Sequence, residues 1–376
     1  MTAFTLIERY DAWGHKRDHA TKTSKGRAAR QGKWGTELMK TTPRRRTTGE
    51  GRSRLGALLL GLVLIMGLSA VFFPTAKAQA AEVEGCHYGT NGPNASTLCW
   101  IDMSSFDSTQ AQSPGGQQMS LDIGHYRLTM TAKQTAGPTG LMKPVYASTA
   151  PTWSQAVFGR GIYAGVGGKP VIYQQNVPAQ IGNNGSINFS NIVVTDINTS
   201  QVVTSGYTFV LADAESTNAN EGLIFTSDQV LNNYAAVTPS GYLSPCGLEF
   251  SGAGTNRVTC MGAPDEGAAQ PVGAALLSTS APSEVGIQFF NGVSSSRQGV
   301  AFAVMFAQVS ASKIVTDRVA ANDNFVVSTN YANSGTVIGA PASTSGTNAA
   351  STTPETILAA QNGTLVRFQE QMAAGS

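Results

Sequence analysis

Nineteen consecutive uncharged residues, Leu55 to Phe73, follow a basic segment (Arg44, Arg45, Arg46, Arg52, Arg54) and run into Pro74. Two small-residue triplets, Ala76-Lys-Ala78 and Ala78-Gln-Ala80, come next, ahead of the acidic Glu82 and Glu84. A charged segment, an apolar segment and an A-x-A triplet in that order form a secretory signal. The sequence therefore predicts a signal helix within residues 39–80, cleavage after Ala80, and a mature chain that folds outside the cytosol. Retention as a membrane anchor is the alternative, because a run of 19 residues sits at the lower edge of what spans a bilayer. Only in that case does the membrane enter. Residues 1–38 precede the signal as a basic, disordered extension, and Met39 offers an internal start that leaves them out.

Charge divides at the same point. Residues 1–80 carry 15 Lys/Arg against 5 Asp/Glu (+10), residues 81–376 carry 10 against 18 (−8), and the whole chain is +2. The basic excess belongs to the leader, so the acidic mature chain has no footprint for nucleic acid. His15 and His19 have an H-x3-H spacing, but they fall in the same leader and are not read as metal ligands.

All four cysteines lie beyond the leader, as the close pairs Cys86 with Cys99 and Cys246 with Cys260. Outside the cytosol an even count reads as disulfides. Four cysteines allow three connectivities, of which the local one is the simplest. No C-x2-C occurs and only His87 and His125 remain in the mature chain, which argues against zinc.

The 296 residues after Ala80 are enough for one large domain and part of another. Short apolar runs bounded by Gly, Asn, Ser and Pro recur throughout, a texture of strands. From His125 to Ala132, Tyr126, Leu128 and Met130 alternate with Arg127, Thr129 and Thr131, the period of a half-buried strand. Further strands are predicted at 170–174, 185–197, 206–213, 222–226, 248–251, 257–261, 284–290 and 299–309. Val300 to Phe306 is apolar throughout, as a strand covered on both faces should be. After Ser312 the pattern repeats on a smaller scale, with strands predicted at 313–319, 323–328, 335–338 and 363–369 and an exposed loop over 340–355. The expected fold is all-β: an antiparallel β-sandwich over 81–312, then a small Ig- or prealbumin-like module over 313–376, either whole or truncated.

Several motifs have a consistent order along the chain: Cys99-Trp-Ile-Asp102, Pro151-Thr-Trp153, Phe158-Gly159, Tyr207-Thr-Phe209, Asp213-Ala-Glu-Ser216, Phe225-Thr-Ser-Asp228 and Gly299-Val-Ala-Phe302. In this order they resemble the ligand-binding non-repetitive domain of CshA/CshB-type fibrillar surface adhesins of Gram-positive bacteria. The resemblance covers roughly residues 86–312. It implies a lectin-like sandwich, secreted or displayed on the cell surface, that binds a host matrix glycoprotein such as fibronectin, or a glycan. The tail resembles a stalk module of such proteins. No LPxTG signal occurs in the sequence, so the mode of surface retention stays open.

No catalytic set emerges. The mature chain has two histidines and no G-x-S-x-G. Gly159-Arg-Gly161-Ile-Tyr-Ala164 fits G-x-G-x-x-A but lacks the surrounding βαβ unit. The acidic cluster Asp213, Glu215, Asn218, Asn220 and Glu221 is placed on a loop after a strand, with Asp228 to join it from the next strand. Oxygen-rich loops suit glycan or protein contact, or calcium, although this spacing is not that of an EF-hand. A loop held by its own side-chain-to-backbone hydrogen bonds is the plainer reading. Trp153, Phe158, Tyr163 and Tyr173 offer a sugar platform, with core packing as the alternative for each ring. The expected function is adhesion to a host glycoprotein or glycan without cofactor. A structural subunit of the envelope is the rival.

Overall fold

The computed structural model describes residues 5–9 and 83–376, apart from 154–155, 179–180, 218–219, 265–271, 317–319, 321, 333, 361–363 and 374–376. The predicted signal helix, its cleavage point after Ala80 and Asn218 lie outside these residues. The rest is almost entirely antiparallel strand, and the one helix among the described residues is the single turn Ser108–Ala111. Asp107 caps it, accepting hydrogen bonds from the backbone of Thr109 and Gln110.

Two sheets face each other. In the first, Leu98–Ile101, Gly299–Val309, Thr208–Asp213 and Ala274–Ser280 lie side by side, with Val171–Gln174 and Val145–Ser148 added beside the start of Gly299–Val309. In the second, Gln117–Ile123, Tyr126–Thr135, Gly182–Asp196 and Val285–Asn291 are neighbours, and Thr255–Met261 lies beyond. Strand Gly222–Val237 belongs to both. Its first half pairs with Val285–Asn291, the register shifts after Thr226, and residues 232–237 pair with Ala274–Ser280. The sequence showed only 222–226 of it, because the second half is polar and continues the strand through a shift in register.

Alternation explains the layers. Gln117–Ile123 buries every second residue, and the inward Met119, Leu121 and Ile123 join Leu128, Phe189, Phe225, Phe289 and Phe302 between the sheets. The first sheet is buried on its other face too. There Trp100, Val210, Leu276, Ala301 and Ala303 pack beneath a cover of Val157, Phe158, Ile162 and Tyr163. This double covering is why Val300 to Phe306 contains no polar residue. The cover is the irregular Gly- and aromatic-rich stretch seen in the sequence. Both local disulfides form, Cys86–Cys99 and Cys246–Cys260.

The smaller module has the sheet order Thr5–Arg9, Leu365–Met372, Phe325–Tyr331, Val337–Ser343. Thr5–Arg9 lies in the extension predicted to be disordered; the open edge of Leu365–Met372 supplies its backbone partners. The predicted loop 340–355 contains a strand, Ala349–Ser351, which pairs with Ser312–Ile314. Ile338, Ile357 and Val366 form a small core. The module also adds Glu355–Leu358 to the sandwich, alongside the last four residues of Gly299–Val309. That long strand therefore has one end in the module and the other at the far tip. Eleven residues at about 3.3 Å each set these ends roughly 30 Å apart.

Candidate ligand-binding apex

Three strand ends meet at the tip away from the module. Asp213 ends its strand opposite Val300, and Tyr173 lies opposite Gly299 on the other flank. Residues just past these ends, Glu215, Arg297 and Gln298, are brought in with them. The floor they share is polar and dry. Gln174 Oε1 accepts hydrogen bonds from Gln298 N and from Asn291 Nδ2, both at 2.9 Å. Lys143 is buried to 1% exposure and donates its ammonium to the Ser296 carbonyl. The side-chain amide of Gln298 is buried with no hydrogen-bond partner among the described residues.

The acids sit deepest. Asp213 is fully buried, and its carboxylate accepts hydrogen bonds from the Glu215 backbone at 3.0 Å and from the Thr217 hydroxyl. Burial outweighs both bonds and pushes its carboxyl up to about 6. Burial also drives Glu215 well above the usual carboxylate range, with the charges of Glu221 and Asp213 adding to it. The Tyr173 hydroxyl donates to Glu215 Oε1 at 3.1 Å. The Tyr173 ring is the hinge between dry and wet. Arg297 places its guanidinium carbon 5.3 Å from the ring centroid, and Trp153 stands 6.0 Å away at 51°. Trp153 itself is 42% exposed.

Loops that follow the strands at this end carry exposed apolar side chains. Leu141 follows Tyr126–Thr135, Val177 and Ile181 follow Val171–Gln174, Val293 follows Val285–Asn291, and all four are exposed. Exposed apolar residues are unremarkable singly. Five on converging loops, with Trp153 among them, make a patch suited to contact.

Several sequence-predicted site residues therefore come together, but in different roles. Asp213 and Glu215 are not on a solvent-facing loop. The backbone of Val157 donates to the Glu215 carbonyl at 3.1 Å, so the aromatic cover closes over this segment. A ligand would meet Trp153, Tyr173 and Arg297 before it met either acid. Glu221 is half-buried close by, and the exposed Asn220 occupies a left-handed turn at φ 64°. Asp228 is not here: it faces the end of the sandwich where Tyr207 precedes the strand that Asp213 ends. Against the cost of partial burial, the Ser283 hydroxyl and the backbone of Ser283 and Glu284 hold Asp228 below its ordinary carboxylate range.

Tyr163 and Phe158 belong to the core. The Tyr163 ring lies 4.8 Å from Trp100, is fully buried, and its hydroxyl donates to the Pro93 carbonyl at 2.7 Å. Glycine is required beneath it: a Cβ at Gly92 would stand 2.5 Å from the ring. Sequence reasoning missed Lys143, Gln174, Arg297 and Gln298. Their signal was slight, a cation and an amide directly ahead of the most apolar strand. Among the described residues no three His, Cys, Asp or Glu side chains gather as they would around a metal ion.

The family described as surface adhesin CshA non-repetitive domain 2 matches residues 96–305, more than half of the chain. The chain belongs to the CshA surface-adhesin family. Residues 308–376 match a second family, the prealbumin-like fold domain, as the separate small module suggests. No curated protein matches. Among solved structures, the N-terminal domain of the Streptococcus gordonii adhesin Sgo0707 is similar at 9% identity, over 77% of this chain and 80% of that one. Its TM-score is 0.25, and no argument is drawn from it. An adhesin role and a cell-surface or extracellular setting follow for this CshA-family chain, and neither family is generally enzymatic. No helix among the described residues is long and apolar enough to cross a membrane.

Proposed function

We propose that the chain is exported through a cleaved signal ending at Ala80 and adheres, by the sandwich apex, to a host glycoprotein or glycan. The observation that carries this is the position of Trp153. It is an exposed indole on a buried, charge-flanked tyrosine, at the end of the sandwich farthest from the prealbumin-like module. The module acts as a spacer that presents this end. Indole and phenol faces take the apolar face of a sugar or a partner's side chain, while Arg297 and Glu221 supply polar selectivity.

The test is binding of the exported chain to a glycan array and to immobilised matrix glycoproteins, fibronectin among them. Trp153→Ala with Arg297→Ala is expected to weaken saturable binding at least about tenfold, the range of a hot spot, with the fold intact. Unchanged binding in that variant removes the apex from the reading. Binding is expected to survive EDTA, because the carboxylates of Asp213 and Glu215 are occupied by internal hydrogen bonds. The envelope-subunit reading draws on the edge strand Leu365–Met372, which already accepts an added strand. It predicts self-assembly of the purified chain in place of receptor binding.

A further inference from the structure

A second recess lies at the opposite end of the sandwich, independent of the apex and of any reading of it. It is a groove of about 620 Å³ between the sandwich and the small module. One wall is the hairpin from Asp196 to Gly206; the other is formed by Tyr331, Ala332, Ser334, Thr336, Thr364 and Leu365 of the module. Tyr126 and Tyr331 close the back, their hydroxyls 3.1 Å apart.

The chemistry of the walls restricts what fits. Hydroxyls line both sides, from Thr199, Thr204 and Ser205 on the sandwich and from Ser334, Thr336 and Thr364 on the module. Apolar surface from Val202, Val203, Leu358 and Leu365 lies between these hydroxyls, a mixture that suits the apolar face of a sugar ring with hydroxyls along its edge. The described lining contains no Lys, Arg or His, and its one charge is Asp196. Asp196 Oδ1 is fixed by the backbone of Asn198 at 2.9 Å and of Thr199 at 3.1 Å, and Oδ2 makes no hydrogen bond among the described residues. An anionic ligand would meet that carboxylate with no compensating cation. A neutral polyhydroxyl chain gives to Asp196 and exchanges hydrogen bonds with the hydroxyls, while Val202 and Leu365 supply apolar contact. The volume falls in the range of small-molecule sites, about 300–1,000 Å³, which are common between domains.

The geometry points to this groove as a second site, which takes a short neutral oligosaccharide and touches both modules at once.

The experiment uses the exported chain on an array of neutral glycans, terminated in galactose, glucose, mannose or N-acetylglucosamine, alongside sialylated and sulfated ones. Ser205→Trp fills the groove from an exposed wall position, and Thr336→Trp does so from the facing wall if the first variant fails to fold. Asp196→Ala removes the acceptor. Neutral spots are expected to bind, to lose at least tenfold in signal with the filled groove and with Asp196→Ala, and to persist in Trp153→Ala. Absence of any neutral binding overturns the inference, as does neutral binding indifferent to the filled groove or confined to the apex. Matrix-glycoprotein binding that is unchanged in Trp153→Ala with Arg297→Ala, with groove binding intact, would count against the function proposed above and leave this one standing.

Discussion

Two residues of the same loop show how burial separates structure from contact. Tyr163 and Trp153 are both aromatic, both in a Gly- and Pro-rich stretch, and indistinguishable in the sequence as platform or core. The fold buries one against Trp100 and leaves the other half in water. Tyr163→Ala is expected to cost about 3–5 kcal/mol, the range for deleting a buried aromatic, measured by urea unfolding. Trp153→Ala should cost little stability and act on binding. The acids separate in the same way. An acid whose folded pKa is raised favours the fold while protonated, so the protein gains stability below that value and loses it as pH rises. For Asp213, near 6 in the fold and about 4 in a free chain, roughly 3 kcal/mol disappears between those two pH values. The melting temperature should therefore fall by several degrees from pH 5 to pH 7.5. Asp213→Asn should reduce that dependence, leaving the part that belongs to Glu215, and a profile identical to wild type refutes the assignment. The sequence could place Asp213 at a strand end but not under a lid, because the lid comes from residues 156–166, far along the chain.

The elements were legible where one face or both faces spoke clearly. Tyr126–Thr135 announced itself by alternation and Gly299–Val309 by unbroken apolarity. Ala274–Ser280 did not, although it is central: its Ala, Ser and Thr residues pass for loop composition, and only its two strand neighbours make it a strand. Gln117–Ile123 alternates cleanly but follows directly on the turn Ser113-Pro-Gly-Gly116, whose composition masks where the strand begins. The small module was read with its strands displaced toward the N-terminus, since few large apolar residues mark its core. The disulfides were legible from spacing and compartment. Cys246–Cys260 ties an irregular segment to Thr255–Met261, whose own outer neighbour, Glu249–Ser251, is only three residues long. Replacing both cysteines with alanine should lower stability by about 2–4 kcal/mol, seen as a lower urea midpoint, and loosen this edge before the central strands. Hydrogen exchange resolves the order of opening.

At the scale of the molecule, the two modules keep separate sheets but share one strand. Glu355–Leu358 completes the first sheet of the sandwich, and Leu358 and Ala359 are buried there. A chain cut after residue 311 should therefore unfold at a lower temperature than the whole, even though the entire CshA-family match at 96–305 is retained. Equal melting temperatures would show the modules to be independent. This sharing is not legible in the sequence, because a four-residue strand lent to another domain has no periodicity of its own. Its mechanical consequence is direct. A pull between a receptor held at the apex and an anchor beyond the module would run along Gly299–Val309, parallel to the strand borrowed from the module. The backbone bonds that join Phe306–Val309 to Glu355–Leu358 would then be loaded in shear together. A joint of that kind resists tension far better than one whose bonds open singly.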